Sequence, residues 1–161
     1  MESNHIDKKA EEMSKSDIEE VVLDVNRILL ATDGSKPSIL ATKYAVGMAE
    51  LFKAELIAIF VDEQFALLPQ ERMSEEAYEG IKHTKAGLNV AEWYAEKNGV
   101  KIETICKKGN APKNIVRVAE KENADLIIMG TTGRTGLKRI TIGSVAEMVM
   151  KASHVPVMVV R

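Results

Sequence analysis

The chain has one cysteine, three histidines and no long apolar run, and each scarcity excludes a class of protein. Cys106 has no partner for an internal disulfide, which excludes the disulfide-rich secreted class and leads us to expect a cytoplasmic protein. No histidine lies at metal-ligand spacing from another histidine or from the cysteine, so no metal site made of protein ligands is predicted. No apolar run approaches the roughly 20 residues of a membrane-spanning helix.

Strong net charge is also absent. The formal net charge of −2 gives no general attraction to nucleic acid or to an anionic membrane, and we expect neither as a partner. With 161 residues, 45% of them hydrophobic, the chain is long enough to bury the core of one domain. Its first 20 residues differ, because they carry three lysines against seven acidic residues and few large apolar side chains. We predict a charged, mobile N-terminal extension over residues 1–24.

After this extension, apolar runs alternate with segments of helical periodicity. Five short apolar runs predict strands over residues 27–32, 55–61, 101–107, 126–129 and 155–160. The segments between them predict helices over residues 36–52, 74–98, 110–123 and 144–151. This alternation, with mostly short links, predicts an α/β domain with a parallel sheet and helices on both faces.

Several residues make this prediction more specific. Ser35 is expected to cap the first helix. In that helix Leu40, Tyr44, Met48 and Leu51 recur at helical spacing, and we expect them to form the buried face. The polar–apolar alternation of the third strand is typical of a sheet edge. Gly87 lies inside the second helix, where the sequence offers no reason for a glycine.

A glycine-rich loop follows the fourth predicted strand. It reads Gly130-Thr131-Thr132-Gly133, and Gly143-Ser144 follows after nine intervening residues and opens a helix. A strand, a glycine loop and a helix start together present backbone N–H groups to a phosphate. The Asp33 turn follows the first strand, and it would face this loop if the first and fourth strands are neighbours. A nucleotide is therefore the first hypothesis.

The same residues also have interpretations that need no ligand. Ser144 with Glu147 three residues later fits a capping box. Asp33 fits a side chain that closes its own turn through an Asx hydrogen bond. The sequence leaves both interpretations open.

Four segments together resemble the universal stress protein family. They are Arg27–Ser35 (RILLATDGS), Ala124–Gly130 (ADLIIMG), the glycine series and His154–Val160 (HVPVMVV). The resemblance covers roughly Asn26 to Arg161 and places a nucleotide-binding domain over residues 25–161. It implies an open, Rossmann-like sheet of five parallel strands in the order 3-2-1-4-5. It also implies a homodimer that pairs its last strands, here Val155–Val160.

The ATP-binding branch of that family carries glycine, two residues, glycine, nine residues, then glycine and Ser or Thr. This chain has that spacing intact. The resemblance therefore implies ATP or AMP as ligand, with Mg²⁺, in a stress-response regulatory protein that acts as a nucleotide-dependent switch, with a further protein partner left open. The residues carried over to the adenine, ribose and phosphates are Ala31, Asp33, Val61, Met129, Gly130, Gly133, Gly143, Ser144 and Val145.

Two other functions stay open at this point. Hydrolysis of ATP needs a positioned water and charge stabilisation, but the chain has no Walker motif, and spacing assigns no catalytic base. Any hydrolysis is therefore expected to be slow or to depend on a partner. Related proteins that cleave ATP to AMP carry a Ser-Gly-Gly loop after the first strand, and Ala31–Ser35 does not match it. The other alternative is a nucleotide-free interaction protein.

Overall fold

The computed structural model describes residues 22–63, 75–131 and 142–161, and over residues 75–85 it describes the backbone alone. Most of the predicted N-terminal extension therefore lies outside the described residues. Gly133, one of the predicted site residues, lies outside them as well. Within these ranges no helix is long and apolar enough to cross a membrane.

Strands and helices alternate through the described chain. The strands are β1 (Arg27–Ala31), β2 (Glu55–Asp62), β3 (Ile102–Lys108), β4 (Leu126–Gly130) and β5 (Val157–Val160). The helices are α1 (Lys36–Phe52), α2 (Glu75–Lys97), α3 (Ala111–Lys121) and α4 (Ser144–Ala152). Every strand pair is parallel, and the sheet order is β3-β2-β1-β4-β5. The predicted fold class and strand order are confirmed.

The two faces of the sheet carry different helices. Because successive side chains of a strand point to opposite faces, Leu30 of β1 packs in the cluster under α1 and α2. Its neighbour Leu29 packs in the cluster under α3 and α4. Both side chains are fully buried, since β1 lies in the middle of the sheet.

The predicted buried face of α1 is wrong. Leu40, Tyr44 and Leu51 are exposed, with Leu51 76% accessible, and Met48 is half-buried. The opposite stripe is buried instead, and it consists of small or medium side chains: Ser38, Ala41, Thr42, Ala45, Val46 and Ala49. Small residues allow the helix axis to lie close to the sheet. The buried face is therefore the one that permits this close approach, and not the one with the largest apolar side chains.

Turn and cap residues account for the ends of the helices. Ser35 caps α1 as predicted, since its Oγ accepts a hydrogen bond from the Ser38 N–H at 3.4 Å. Gly99, with φ +64°, follows the end of α2 in a conformation that favours glycine. Gly87 lies where α2 approaches the β1–α1 turn, because a Cβ there would be 2.7 Å from the Gly34 nitrogen. This close approach explains the glycine inside α2.

The two edge strands differ in polarity. β3 is an edge strand as predicted, and most of its side chains are exposed. At the other edge β5 begins at Val157 rather than at the predicted Val155. The reason is that the Ser153 Oγ accepts from the Val155 N–H at 3.0 Å and donates to the Val155 carbonyl at 2.8 Å. Both backbone groups of Val155 are therefore engaged in a turn.

Candidate functional site

The carboxyl ends of the central strands bring together several of the predicted site residues. Ala31 at the end of β1 pairs in register with Met129 of β4, and Val61 lies near the end of the neighbouring strand β2. These three side chains and Val145 of α4 belong to the hydrophobic cluster under α3 and α4. Four of the predicted positions thus share one face and one edge of the sheet.

The β1–α1 turn at this edge is held by its own polar groups. Asp33 Oδ1 accepts a hydrogen bond from the Ser35 N–H at 2.9 Å. Gly34 has φ +77°, a conformation that favours glycine. The Asx-turn interpretation of Asp33 is confirmed, and Oδ2 takes no part in that turn.

Gly130 is required by packing. A Cβ at this position would lie 2.8 Å from the Pro37 carbonyl carbon and 3.0 Å from the Ser38 nitrogen. Both are backbone atoms of the first turn of α1, so they cannot move aside as a flexible side chain would. The end of β4 therefore carries a glycine because α1 begins against it.

The capping box that Ser144 and Glu147 would fit does not form. The N-cap of α4 is Gly143, which has no side chain to cap the helix, and Ser144 is already the first helical residue. Glu147 lies one turn further on and pairs with Lys151 at 2.6 Å. The hydrogen bond from the Lys151 ammonium holds the pKa of Glu147 below its ordinary value.

The first turn of α4 presents a row of backbone donors. Gly143 was predicted to offer its N–H to a phosphate, but that group donates to the Thr131 carbonyl at 2.5 Å. The first intrahelical bond runs from the Glu147 N–H to the Gly143 carbonyl at 3.0 Å. Between the N–H groups of Gly143 and Glu147, those of Ser144, Val145 and Ala146 have no acceptor among the described residues. An anion that bound here would meet three donors and the positive end of the helix dipole.

The first turn of α3, on the same face of the sheet, is closed by the protein itself. Asn110 is its N-cap, and the Asn110 Oδ1 accepts from the Lys113 N–H at 2.9 Å. Glu63, just after β2, accepts from the Ala111 N–H through Oε1 at 3.1 Å. Sequence reasoning did not select Glu63, because no motif or periodicity links it to a partner 48 residues away.

The amino edge of the sheet is tied together by side chains. The Asp125 Oδ2 accepts from the N–H groups of Asn26 and Arg27, both at 2.8 Å. Arg27 also pairs with Glu55, with 3.1 Å between Nη2 and Oε2. Hydrogen bonds, the larger contribution from Lys101 and the smaller from Arg27, hold the pKa of Glu55 below its ordinary value. The polar groups at this edge are matched to one another across β1, β2 and β4.

A comparison with known sequences decides the family. The profile of the Universal stress protein family matches residues 24–161. The chain belongs to this family. Universal stress protein MJ0531 of Methanocaldococcus jannaschii is 46% identical over 138 residues, which covers 84% of this chain and 81% of that protein.

Solved universal stress protein structures have the same fold. The M. jannaschii protein MJ0577 is 34% identical, with a TM-score of 0.67 over 86% of this chain and 96% of that one. The universal stress protein from Archaeoglobus fulgidus in complex with dAMP is 22% identical, with a TM-score of 0.63 over 86% of this chain and 100% of that one. The second likeness, at this identity, concerns the fold alone.

Proposed function

We propose that this universal stress protein binds an adenine nucleotide, ATP or AMP, at the carboxyl edge of its sheet, with the phosphates on the first turn of α4. The observation that carries the proposal is the set of three N–H groups, from Ser144 to Ala146, that lack acceptors among the described residues. The Ser144 hydroxyl, on the first helical residue, adds a further donor. A phosphate would satisfy these donors and interact favourably with the helix dipole.

The base is proposed to lie against the apolar side chains of Ala31, Val61 and Met129. These residues are on the same face as α4, and a mostly apolar surface with few polar groups is typical of small-molecule sites. Asp33 Oδ2, which the Asx turn leaves unused, is proposed to accept a hydrogen bond from the base. Gly130 and Gly133 are proposed to approach the ribose and the phosphates through their backbones. Mg²⁺ is proposed to bind the phosphate oxygens of ATP, which is the way this ion is commonly held.

The bound nucleotide is proposed to regulate the protein rather than to be consumed rapidly. Among the described residues, Asp33 follows β1 and Glu63 follows β2 at this edge. Each accepts a backbone N–H, a contact that shapes a turn or a helix start. This use favours holding ATP over activating a water for hydrolysis. The Archaeoglobus fulgidus protein was solved in complex with dAMP, but the argument for this chain rests on its own amides.

A homodimer through β5 is also proposed. A sheet edge with unpaired backbone groups is a template for pairing with another chain. The β3 edge is guarded by exposed polar side chains such as Glu103 and Lys107, whereas β5 presents the half-buried apolar Val157, Met158 and Val159. Sedimentation of the full chain tests this, and a monomer at the concentrations used for binding would refute it.

The sharpest test of the nucleotide site is Ser144→Pro. Gly143 has φ −63° and ψ 153°, a conformation that a residue before proline adopts readily. Proline is also accepted in a first helical turn, as Pro37 and Pro112 show in α1 and α3. The change removes one amide and one hydroxyl donor, so ATP affinity in calorimetry should fall about 100-fold, at roughly 1.5 kcal/mol for each hydrogen bond to a charged group. The thermal midpoint should change by no more than about 2 °C.

Ser144→Ala is the matched control, since it removes the hydroxyl and keeps the amide. Its loss of ATP affinity should be about tenfold. Wild-type protein that shows no binding of ATP or AMP at millimolar nucleotide would refute the proposed function. Equal ATP affinity in Ser144→Pro and wild type would show that the phosphates do not bind the first turn of α4.

A further inference from the structure

Two helices on one face of the sheet begin at the carboxyl edge, and either could attract an anion. α3 and α4 pack against each other and share a hydrophobic cluster. Each follows a parallel strand, so each directs the positive end of its dipole to the same edge. Nothing in the dipoles alone decides which helix receives a phosphate.

Every donor in the first turn of α3 is accounted for. The Ala111 N–H donates to Glu63 and the Lys113 N–H to Asn110. Pro112, between them, has no N–H to offer. The next amide, of Asn114, donates to the Asn110 carbonyl at 3.1 Å. α3 therefore begins with its donors satisfied, whereas α4 begins at a glycine without a side-chain cap.

The Glu63 carboxylate differs from the other groups that close α3, because it comes from another element and carries a charge. It reaches the helix from the end of β2, next to Val61 and Asp62. A carboxylate on a helix N-terminus is an internal substitute for a bound anion. The carboxylate accepts the hydrogen bond of the Ala111 N–H, and it repels a second negative group in the same place.

We propose that Glu63 is a positioning residue that closes the first turn of α3 to phosphate and so directs the phosphates of a bound nucleotide to α4. This inference rests on the proposed nucleotide site. With α3 closed, the base lies toward β2 and the phosphates toward α4, and the reverse orientation is disfavoured by both a missing donor and a like charge. Glu63 thus sets the direction of the ligand without a role in chemistry.

The test follows the backbone amides of the ¹⁵N-labelled full chain during titration with inorganic pyrophosphate and, separately, with AMP. In wild type both ligands should shift the amides of Ser144, Val145 and Ala146 and leave Ala111 unchanged. In Glu63→Ala, pyrophosphate should also shift Ala111, at a concentration at least about tenfold below any that shifts this amide in wild type. A purely structural role for Glu63 would not create a new response to pyrophosphate.

Glu120→Ala is the matched control, because it removes an exposed carboxylate from the last turns of the same helix. It should leave Ala111 insensitive to pyrophosphate. Glu63→Gln is the second variant in case Glu63→Ala fails to fold, since it keeps an oxygen near the amide and removes the charge. The Ala111 amide should respond to pyrophosphate in this variant, with a lower affinity than in Glu63→Ala.

The outcomes separate the two proposals. A wild-type Ala111 amide that responds to pyrophosphate as strongly as Ser144 would overturn the role of Glu63, and so would an Ala111 amide that stays silent in both Glu63 variants. Wild-type amides of α4 that ignore both AMP and pyrophosphate would instead refute the nucleotide site. In that case the pyrophosphate response of Ala111 in Glu63→Ala still decides whether Glu63 closes α3.

Discussion

The amino edge of the sheet, where its strands begin, and the carboxyl edge, where they end, are built from different kinds of contact. At the amino edge, side chains satisfy backbone and charged groups across strands, as where Asp125 accepts the amides of Asn26 and Arg27. At the carboxyl edge, part of the backbone has no such partner among the described residues, as in the first turn of α4. In a parallel sheet, every turn that leads from a strand into a helix lies at the carboxyl edge. Ligands of such sheets bind there. This difference agrees with the proposal that the amino edge serves stability and that the carboxyl edge holds the ligand.

The largest loss of stability is expected from a substitution at the carboxyl edge, at Gly130, where packing rather than binding requires the residue. Gly130→Ala places a Cβ 2.8 Å from the backbone of Pro37, so the protein should lose about 3 kcal/mol of its free energy of unfolding. Urea unfolding measures the loss. Gly47→Ala is the control, because a Cβ at Gly47 of α1 would meet no neighbouring atom within 4 Å, and alanine there should raise stability by about 1 kcal/mol. A Gly130→Ala protein as stable as wild type would show that α1 can shift to accommodate the Cβ and that packing does not require the glycine.

A change at the amino edge should affect stability without affecting binding. Asp125→Ala leaves the amides of Asn26 and Arg27 without their acceptor and should lower the free energy of unfolding by about 2 kcal/mol. ATP affinity, measured below the unfolding transition, should stay within about twofold of wild type, since distant sites act independently. Asp125→Asn, which retains an acceptor oxygen, should lose about half as much stability. A marked loss of ATP affinity in Asp125→Ala would contradict the separation of the two edges.

The smallest effect on stability is expected from lowering the pH, and it acts through Glu55 at the amino edge. The pKa of Glu55 is lowered in the folded protein, so its contribution to stability is present above the unfolded-state pKa of about 4.3 and is lost as pH falls through the folded value. The stability difference between wild type and Glu55→Gln should therefore shrink as pH falls from about 6 to about 3. The exposed Glu96→Gln of α2 is the control for a change of charge. A difference that stays constant with pH would mean that Lys101 and Arg27 do not stabilise the ionised carboxylate in solution.

Much of the fold was predictable because its local signals are strong. The strands and helices lie within two residues of their predicted bounds, since apolar runs, Ser35 and Gly99 mark them in the sequence. The buried face of α1 was not predictable in the same way. Its sequence has two apolar stripes, and only the close approach of α1 to Gly130 favours the one made of small residues.

The candidate site was predictable only in part. The glycine spacing located the start of α4, and the family it indicated is confirmed. The spacing did not show that the Gly143 amide is engaged by Thr131, which leaves the donors to the next three residues. It also could not reveal Glu63, whose partner Ala111 is distant in sequence and is brought near only by the β2–β3 pairing and the start of α3.

By itself the sequence determined the alternation of strands and helices, the family and the presence of a glycine-rich helix start. These features depend on local periodicity and on the conformational freedom of glycine, which short segments carry unaided. The tertiary structure decided which stripe of α1 is buried and which helix start on the α3–α4 face is closed. Both depend on contacts between residues far apart in the chain, since a backbone donor is free or engaged only according to what the fold places beside it.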